Sequence, residues 1–206
     1  MKKLNLMIIL LVVLTNLFAL TGSKIENSVG AIYIPQKMFS YVDYFKFTST
    51  FDSLNLNYFT FSNKIDTCMS ETFEKILPHT SIDSIKSSDF DYLVILGGKG
   101  ILNEIENRKL LKLIKDSDEN KKFIIAIGFA PVLLVKAGVT DGKYITMTDI
   151  YVLYEKVKDI KIKYVDRDIV SSKNLITTQT NNNLDLLITK FFELYNGTFN
   201  SKGSGK

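Results

Sequence analysis

The 206-residue chain contains a single cysteine, Cys68, and a single histidine, His79, and this scarcity excludes several kinds of site. One cysteine cannot form an intrachain disulfide, and one cysteine with one histidine cannot build a structural zinc site. We therefore expect no metal and no cofactor. We interpret Cys68 as a small packed residue, with a reactive or intermolecular thiol as the alternative. His79 is interpreted as a surface or turn residue rather than a general base.

Acidic residues are missing from the first 22 positions, where two lysines precede an apolar run at residues 6–14. A basic start, an apolar core and small residues after it are typical of a secretory signal peptide. We predict a signal peptide at residues 1–22, cleaved within residues 20–24. The alternative is an uncleaved membrane anchor formed by residues 4–20, which approach the lower length limit of a spanning helix. Either way, the domain is expected to be secreted or otherwise extracytoplasmic.

No strong excess of one charge sign remains once this segment is set aside. The net charge of +4 includes Lys2 and Lys3, which leaves +2 for the remaining chain, where acidic and basic residues are well mixed. Such a chain lacks the basic surface of a nucleic-acid-binding protein. Its length suits one domain with a well-formed core. We predict that domain at residues 23–199 and a disordered tail at residues 200–206, which lack apolar side chains.

Short apolar runs alternate with helical patterns along the predicted domain. Strands are predicted at residues 29–34, 57–62, 91–96 and 122–127. Most of these runs are continuous rather than alternating, which is typical of strands buried on both faces of a parallel sheet. Helices are predicted at residues 40–54 and 103–117 and from Leu184 onward. This alternation favours the α/β class, as a three-layer α/β/α sandwich with a mostly parallel central sheet.

The remaining segments carry weaker patterns. Residues 140–178 contain short β-branched stretches separated by turns, which predict a few strands that complete the sheet. The asparagines at positions 181–183 are available to cap the last helix. Asn196-Gly197-Thr198 forms an N-glycosylation sequon, predicted to lie just after that helix and relevant only in a source that glycosylates.

A sharp strand-to-helix turn is predicted at Gly128. An apolar run ends at Ile127, and Phe129-Ala130-Pro131 opens a helical stretch. Turns of this kind present the nucleophile in α/β-hydrolase-like sites, usually a hydroxyl or thiol on a strained backbone. Glycine tolerates that backbone but supplies no nucleophile.

Three segments occur in a characteristic order and spacing: FDYLVILGGKG (90–100), KKFIIAIGFAPVLLVKAGVTDGKYIT (121–146) and NLITTQTNNNLDLLITKFFELYNG (174–197). Together they resemble the ThiJ/PfpI family, within the class I glutamine amidotransferase-like superfamily. The resemblance covers about residues 29–197. It implies a flavodoxin-like sandwich and, because members commonly dimerise, a homodimer.

The resemblance also implies which positions carried the family's chemistry. Active members use a cysteine at the elbow, a glutamate from the first helix and often a histidine after the following strand. Here Gly128 stands at the elbow, Asp43 where the glutamate would be and Thr148 where the histidine would be. Loss of the cysteine alone removes covalent catalysis.

Other parts of the machinery have two interpretations each. Gly97 and Gly98 resemble the family's glycine pair, whose N–H contributes to an oxyanion hole together with the N–H of Phe129. Alternatively, both glycines only permit a tight turn. Asp43 is either a carboxylate of the pocket or the acid of a capping box, since Ser40 precedes it by the required spacing.

The sequence therefore predicts an exported ThiJ/PfpI-like domain with a degenerate active site, a pseudoenzyme. Its pocket is expected to be lined by Asp43, Gly97, Gly98, Gly128, Phe129 and Thr148. We expect it to bind an unknown small molecule or protein partner, and to meet a membrane only if the N-terminal segment stays uncleaved. The alternative is a hydrolase or lyase in which Asp43 activates water without a cysteine nucleophile.

Overall fold

The computed structural model describes residues 24–200. The predicted signal peptide or anchor at residues 1–22, and positions 201–206 of the predicted tail, lie outside the described residues. The strands are β1 (Val29–Tyr33), β2 (Lys37–Phe39), β3 (Asn57–Ser62), β4 (Cys68–Ser70), β5 (Lys75–Ile76), β6 (Thr80–Ser81), β7 (Tyr92–Ile95), β8 (Phe123–Ile127), β9 (Tyr144–Ile145), β10 (Lys163–Tyr164), β11 (Ile169–Ser172) and β12 (Leu175–Thr178). The helices are α1 (Tyr41–Ser53), α2 (Arg108–Glu119), α3 (Pro131–Lys136), α4 (Tyr151–Val157) and α5 (Leu184–Asn200).

Seven strands form one central sheet in the order β11-β12-β8-β7-β1-β3-β6. All neighbours run parallel except β11 and β12, which pair antiparallel at one edge. The four strands predicted from apolar runs are β1, β3, β7 and β8, which are adjacent in the middle of the sheet. Two smaller groups, β2-β4-β5 and β9-β10, lie outside it. The prediction of a mostly parallel central sheet is confirmed.

Each face of the sheet has its own hydrophobic core. Side chains alternate along β1, so Ala31 and Tyr33 enter one core while Ile32 enters the other. The first core contains apolar side chains of α2, α3 and α4, and the second contains those of α1 and α5. Burial on both faces explains the continuous apolar runs. The predicted three-layer sandwich is confirmed.

Helix α1 agrees with its prediction and decides the role of Ser40. The Ser40 Oγ atom accepts a hydrogen bond from the Asp43 N–H at 3.3 Å, which makes Ser40 the N-cap. In a capping box, the Asp43 carboxylate would accept from the Ser40 N–H. That N–H instead donates to the Gly97 carbonyl oxygen at 3.0 Å. The capping-box interpretation of Asp43 is therefore wrong, and its carboxylate is directed elsewhere.

The helix predicted at residues 103–117 begins later, at Arg108. Asn107 caps α2, because its Oδ1 atom accepts from the Leu110 N–H at 3.2 Å. The buried carboxylate of Glu104 accepts hydrogen bonds from the side-chain amides of Asn63 and Asn107. Glu104 therefore precedes the helix, and its carboxylate binds these two amides.

Only part of the segment 140–178 completes the sheet. The hairpin of β11 and β12 joins it, but β9 and β10 form a separate parallel pair, and α4 lies between them in sequence. The prediction of strands alone is wrong for this segment. The sequon at Asn196 is also misplaced by the prediction, because α5 continues through it to Asn200.

The two scarce residues lie where their composition-based interpretations place them. Cys68 has no exposed surface and belongs to the second core, as expected of a packed residue. His79 is exposed in a bend before β6, and its Nδ1 atom accepts from the Thr60 N–H at 3.0 Å. Across residues 24–200, no helix combines the length and apolarity needed to cross a membrane.

Candidate functional site

A turn with a left-handed residue joins β8 to α3. Gly128 has φ +61°, and its N–H donates to the Thr178 carbonyl oxygen at 3.0 Å. Pro131 opens α3 three residues later. A β-carbon built at Gly128 would lie 3.5 Å from Thr148 Oγ1 and 3.8 Å from the Gln179 carbonyl oxygen. The position therefore has room for a side chain, and only its backbone favours glycine.

Asp43 lies deep beside this turn, on the first turn of α1. Its side chain is 1% exposed, and Oδ2 accepts from the Gly97 N–H at 2.9 Å. Oδ1 accepts from the side-chain amide of Asn181 at 3.1 Å. Burial raises the pKa of Asp43, and the hydrogen bonds from Ser40, Gly97 and Asn181 oppose that rise. The carboxylate is thus held between α1, the end of β7 and the loop before α5.

The glycine pair after β7 is required by close packing. A β-carbon at Gly97 would lie 2.8 Å from the Ile127 carbonyl oxygen and 2.9 Å from Asp43 Oδ2. Gly98 has φ +107°, and a β-carbon there would lie 2.4 Å from the Met38 carbonyl oxygen. The tight-turn interpretation therefore holds for both residues. The oxyanion-hole interpretation of Gly98 remains open, because a residue in a tight turn can still donate its N–H to a ligand.

The main-chain N–H groups at the site divide into paired and unpaired donors. Gly97 gives its N–H to Asp43. The N–H groups of Gly98 and Phe129 donate no hydrogen bond within residues 24–200. Gly98 is a buried residue, and buried N–H groups without an acceptor are rare in folded proteins. These two groups are therefore available as donors to a bound molecule.

Thr148 also lines the site. Its Oγ1 atom donates to the Gln179 carbonyl oxygen at 2.6 Å, and its N–H donates to the Gly128 carbonyl oxygen at 3.0 Å. Gln179 in turn donates from its side-chain amide to Tyr164 Oη and to Asp166 Oδ1, both at 2.8 Å. Thr148 therefore fixes the elbow, and its hydroxyl hydrogen is already committed.

All six residues predicted from the sequence line one pocket of about 160 Å³. The others that line it are Ser40, Glu71, Ile127, Gln179, Thr180 and Asn181. Sequence reasoning missed Glu71, and it assigned Asn181 to helix capping although its amide binds Asp43 and Ser40. Gln179–Asn181 could have been found, because they follow the carboxyl end of β12, where sites of α/β sheets gather. Glu71 follows the short strand β4 and carries no comparable signal.

Polar groups line the pocket. Cys68 does not line it, and the Oγ atoms of Ser40 and Thr148 take part in the hydrogen bonds described above. No cluster of three or more His, Cys, Asp or Glu in residues 24–200 could hold a metal ion. The arrangement can accept from or donate to a small polar molecule through Asp43, Glu71, Gly98 and Phe129.

Known proteins resemble this chain along most of its length. A relative from Methanocaldococcus jannaschii, itself uncharacterized, is 29% identical over 186 residues, which cover 87% of this chain and 90% of the relative. A deglycase of Thermococcus kodakarensis is 25% identical over 114 residues, 55% of this chain and 68% of the deglycase. The crystal structure of a ThiJ/PfpI domain protein from Brachyspira murdochii shares the fold, with a TM-score of 0.73 and 18% identity over 82% of this chain and 96% of that one. The family model of the DJ-1/PfpI family matches residues 31–194, so the chain belongs to the DJ-1/PfpI family.

Proposed function

We propose that this protein is a binding domain of the DJ-1/PfpI family whose catalytic site has degenerated. The observation that carries the proposal is Gly128, which occupies the strand-to-helix turn with φ +61° and leaves the pocket floor without a nucleophile. A β-carbon built at Gly128 would make only ordinary contacts, at 3.5 Å and 3.8 Å, so a ligand atom can approach the main chain where a side chain would otherwise stand. The ligand is a small molecule or a segment of a partner protein.

Activity measurements test the loss of catalysis. Because one relative is a deglycase, glyoxal-derived adducts and free glyoxals are the first substrates to assay, and peptides are the next. We expect no turnover above that of the denatured protein. Mass spectrometry of the protein released gently from its source should instead detect a retained small molecule. Sustained turnover, with loss of that turnover in a Gly128→Ala variant, would contradict the proposal.

The second candidate function is a hydrolase or lyase in which Asp43 activates water. It is favoured by the burial of Asp43 in the pocket, which raises the pKa of the carboxyl toward the range of a general base. Against it, each carboxylate oxygen already accepts a hydrogen bond. Turnover that is abolished by Asp43→Asn would make this the leading function. Turnover that ignores both Asp43 and Thr148 would indicate a contaminant or another site.

We further propose that the domain is exported and forms a homodimer. Export rests on the basic and apolar N-terminal sequence, and dimerisation rests on the family alone. Sequencing the native N-terminus should give a start within residues 21–25. An intact Met1 in the membrane fraction would favour an anchor, and an intact Met1 on a cytoplasmic protein would contradict export. Light scattering during size-exclusion chromatography measures the oligomeric state.

A further inference from the structure

The pocket carries acidic side chains without basic ones. Asp43 and Glu71 both line it, and none of the pocket residues in the described part of the chain is lysine, arginine or histidine. Asp43 is almost fully buried, whereas Glu71 is exposed at the rim. A molecule that enters therefore meets a carboxylate at the mouth and another at depth.

Neither carboxylate is neutralised from within the protein. The ion pairs in residues 24–200 all involve other acidic residues. The acceptor contact of Glu71 is the N–H of Lys99, which its Oε1 atom receives at 2.9 Å. Burial is the main cause that raises the pKa of Asp43, and the negative charge of Glu71 adds to it. The two carboxylates therefore repel each other, and a cation bound between them would reduce that repulsion.

The pocket also offers donors to a neutral oxygen. The unpaired N–H groups of Gly98 and Phe129 belong to residues that line it. A carbonyl or hydroxyl oxygen can accept from such groups without bringing negative charge toward Asp43 and Glu71. A volume of about 160 Å³ is below the roughly 300–1,000 Å³ of sites for drug-sized ligands, which favours a small ligand.

We propose that the pocket selects small protonated amines that also carry a carbonyl or hydroxyl oxygen, and that it discriminates against carboxylates and phosphates. The cationic end lies toward Asp43 and Glu71, and the oxygen accepts from the main chain of Gly98 and Phe129. This inference rests on the proposed binding function and names its ligand class. Glu71 is the residue that sets the charge preference at the mouth.

Three probes of one size test the charge preference. Glycinamide, glycolamide and glycolate share a two-carbon frame and are a cation, a neutral molecule and an anion at about pH 6.5. Binding is followed by NMR titration of the ¹⁵N-labelled protein, with the amide signals of Gly98, Gly128 and Phe129 as the reporters. We expect the dissociation constant of glycinamide to be at least about tenfold lower than that of glycolate. Glu71→Gln should raise the dissociation constant of glycinamide about three- to tenfold and leave that of glycolamide unchanged.

The control variant is Glu119→Gln, which removes an exposed carboxylate at the end of α2, away from the pocket, and should change none of the three constants. Glycolate binding as tightly as glycinamide at the reporter amides would overturn the charge preference but leave the binding function intact. If all three probes leave the reporter amides unmoved, the inference fails, whereas the binding function is tested separately by the mass spectrometry of the native protein. An unchanged glycinamide constant in Glu71→Gln would overturn the role of Glu71.

Discussion

Gly128 combines a left-handed backbone with room for a side chain, and these two properties have separate consequences. The backbone conformation, φ +61°, disfavours any residue with a β-carbon. The nearest atom to such a β-carbon, Thr148 Oγ1, is nevertheless at 3.5 Å, an ordinary contact distance. A side chain at this position is thus costly to the main chain but sterically accommodated.

We predict that Gly128→Cys, in a Cys68→Ser background, folds and displays a reactive thiol. The left-handed backbone should lower the free energy of unfolding by about 1–3 kcal/mol, measured by urea denaturation. The carboxylates of Asp43 and Glu71 line the same pocket, so cationic methanethiosulfonates should react faster than anionic ones.

Gly138→Cys is the matched control for this thiol. Gly138 has φ +73° with no atom within 4 Å of a built β-carbon, so it carries the same backbone penalty on an open surface. The stability losses should be similar, whereas the ratio of cationic to anionic reaction rates should be higher at position 128. Equal ratios at both positions would mean that no acidic pocket surrounds Gly128.

Two buried tyrosines on neighbouring strands should respond oppositely to loss of the hydroxyl. Tyr33 Oη donates to Asn63 Oδ1 at 3.0 Å, whereas the Tyr92 hydroxyl is buried without a hydrogen-bond partner in the described part of the chain. Both side chains have no exposed surface. We predict that Tyr33→Phe lowers the free energy of unfolding by about 1 kcal/mol, and that Tyr92→Phe leaves it unchanged or raises it by up to about 1 kcal/mol. Chemical denaturation of both variants checks this, and a larger loss in Tyr92→Phe would reveal a partner for its hydroxyl.

At the scale of helices and strands, the sequence predicts the elements that are determined by residues within or next to them. The strands β1, β7 and β8 are continuous apolar runs, and α1 begins at a serine whose side chain caps it. The start of α2 could not be predicted in the same way. It depends on Glu104 turning inward to Asn63, which lies 41 residues away along the chain. A hydrogen bond of that kind leaves no periodic signature in the sequence.

Helix α5 stabilises the fold through the packing of its apolar stripe. Phe191 has no exposed surface and packs its ring against Tyr92, Phe123 and Tyr195, with ring centroids 4.8, 6.2 and 5.5 Å away. We predict that Phe191→Ala lowers the free energy of unfolding by about 3–5 kcal/mol. Leu186→Ala on the same helix removes a side chain that is 58% exposed and should cost less than about 0.5 kcal/mol. Similar losses in urea denaturation would show that α5 does not pack through this stripe.

At the scale of the whole molecule, the pocket is assembled from segments far apart in sequence. Asp43 accepts hydrogen bonds from Gly97 and from Asn181, which are 54 and 138 residues away. The parallel topology brings the ends of β7, β8 and β12 side by side, and this is why glycines and polar residues after those strands meet. Four of the six residues anticipated by family resemblance follow β7 or β8, whereas Asp43 lies on α1 and Thr148 follows β9. Asn181 was not predicted as a site residue, because an asparagine just before a helix equally suits a helix cap. Which of the two roles it takes depends on where α1 lies.

The pH dependence of stability tests whether Asp43 is held as the structure describes. Burial raises the folded-state pKa of Asp43 above its ordinary value of 3.8, so the folded protein binds this proton more tightly than the unfolded chain does. The stability from this group is therefore fully present below pH 3.8 and is lost as the pH rises through the folded-state pKa. We predict that the advantage of the wild type over Asp43→Asn, measured by urea denaturation, is largest in acid and shrinks over that window. Asp141→Asn, which removes an exposed carboxylate, controls for an ordinary surface acid. An advantage that instead grows with pH would mean that the hydrogen bonds from Gly97 and Asn181 outweigh burial and keep the carboxylate charged.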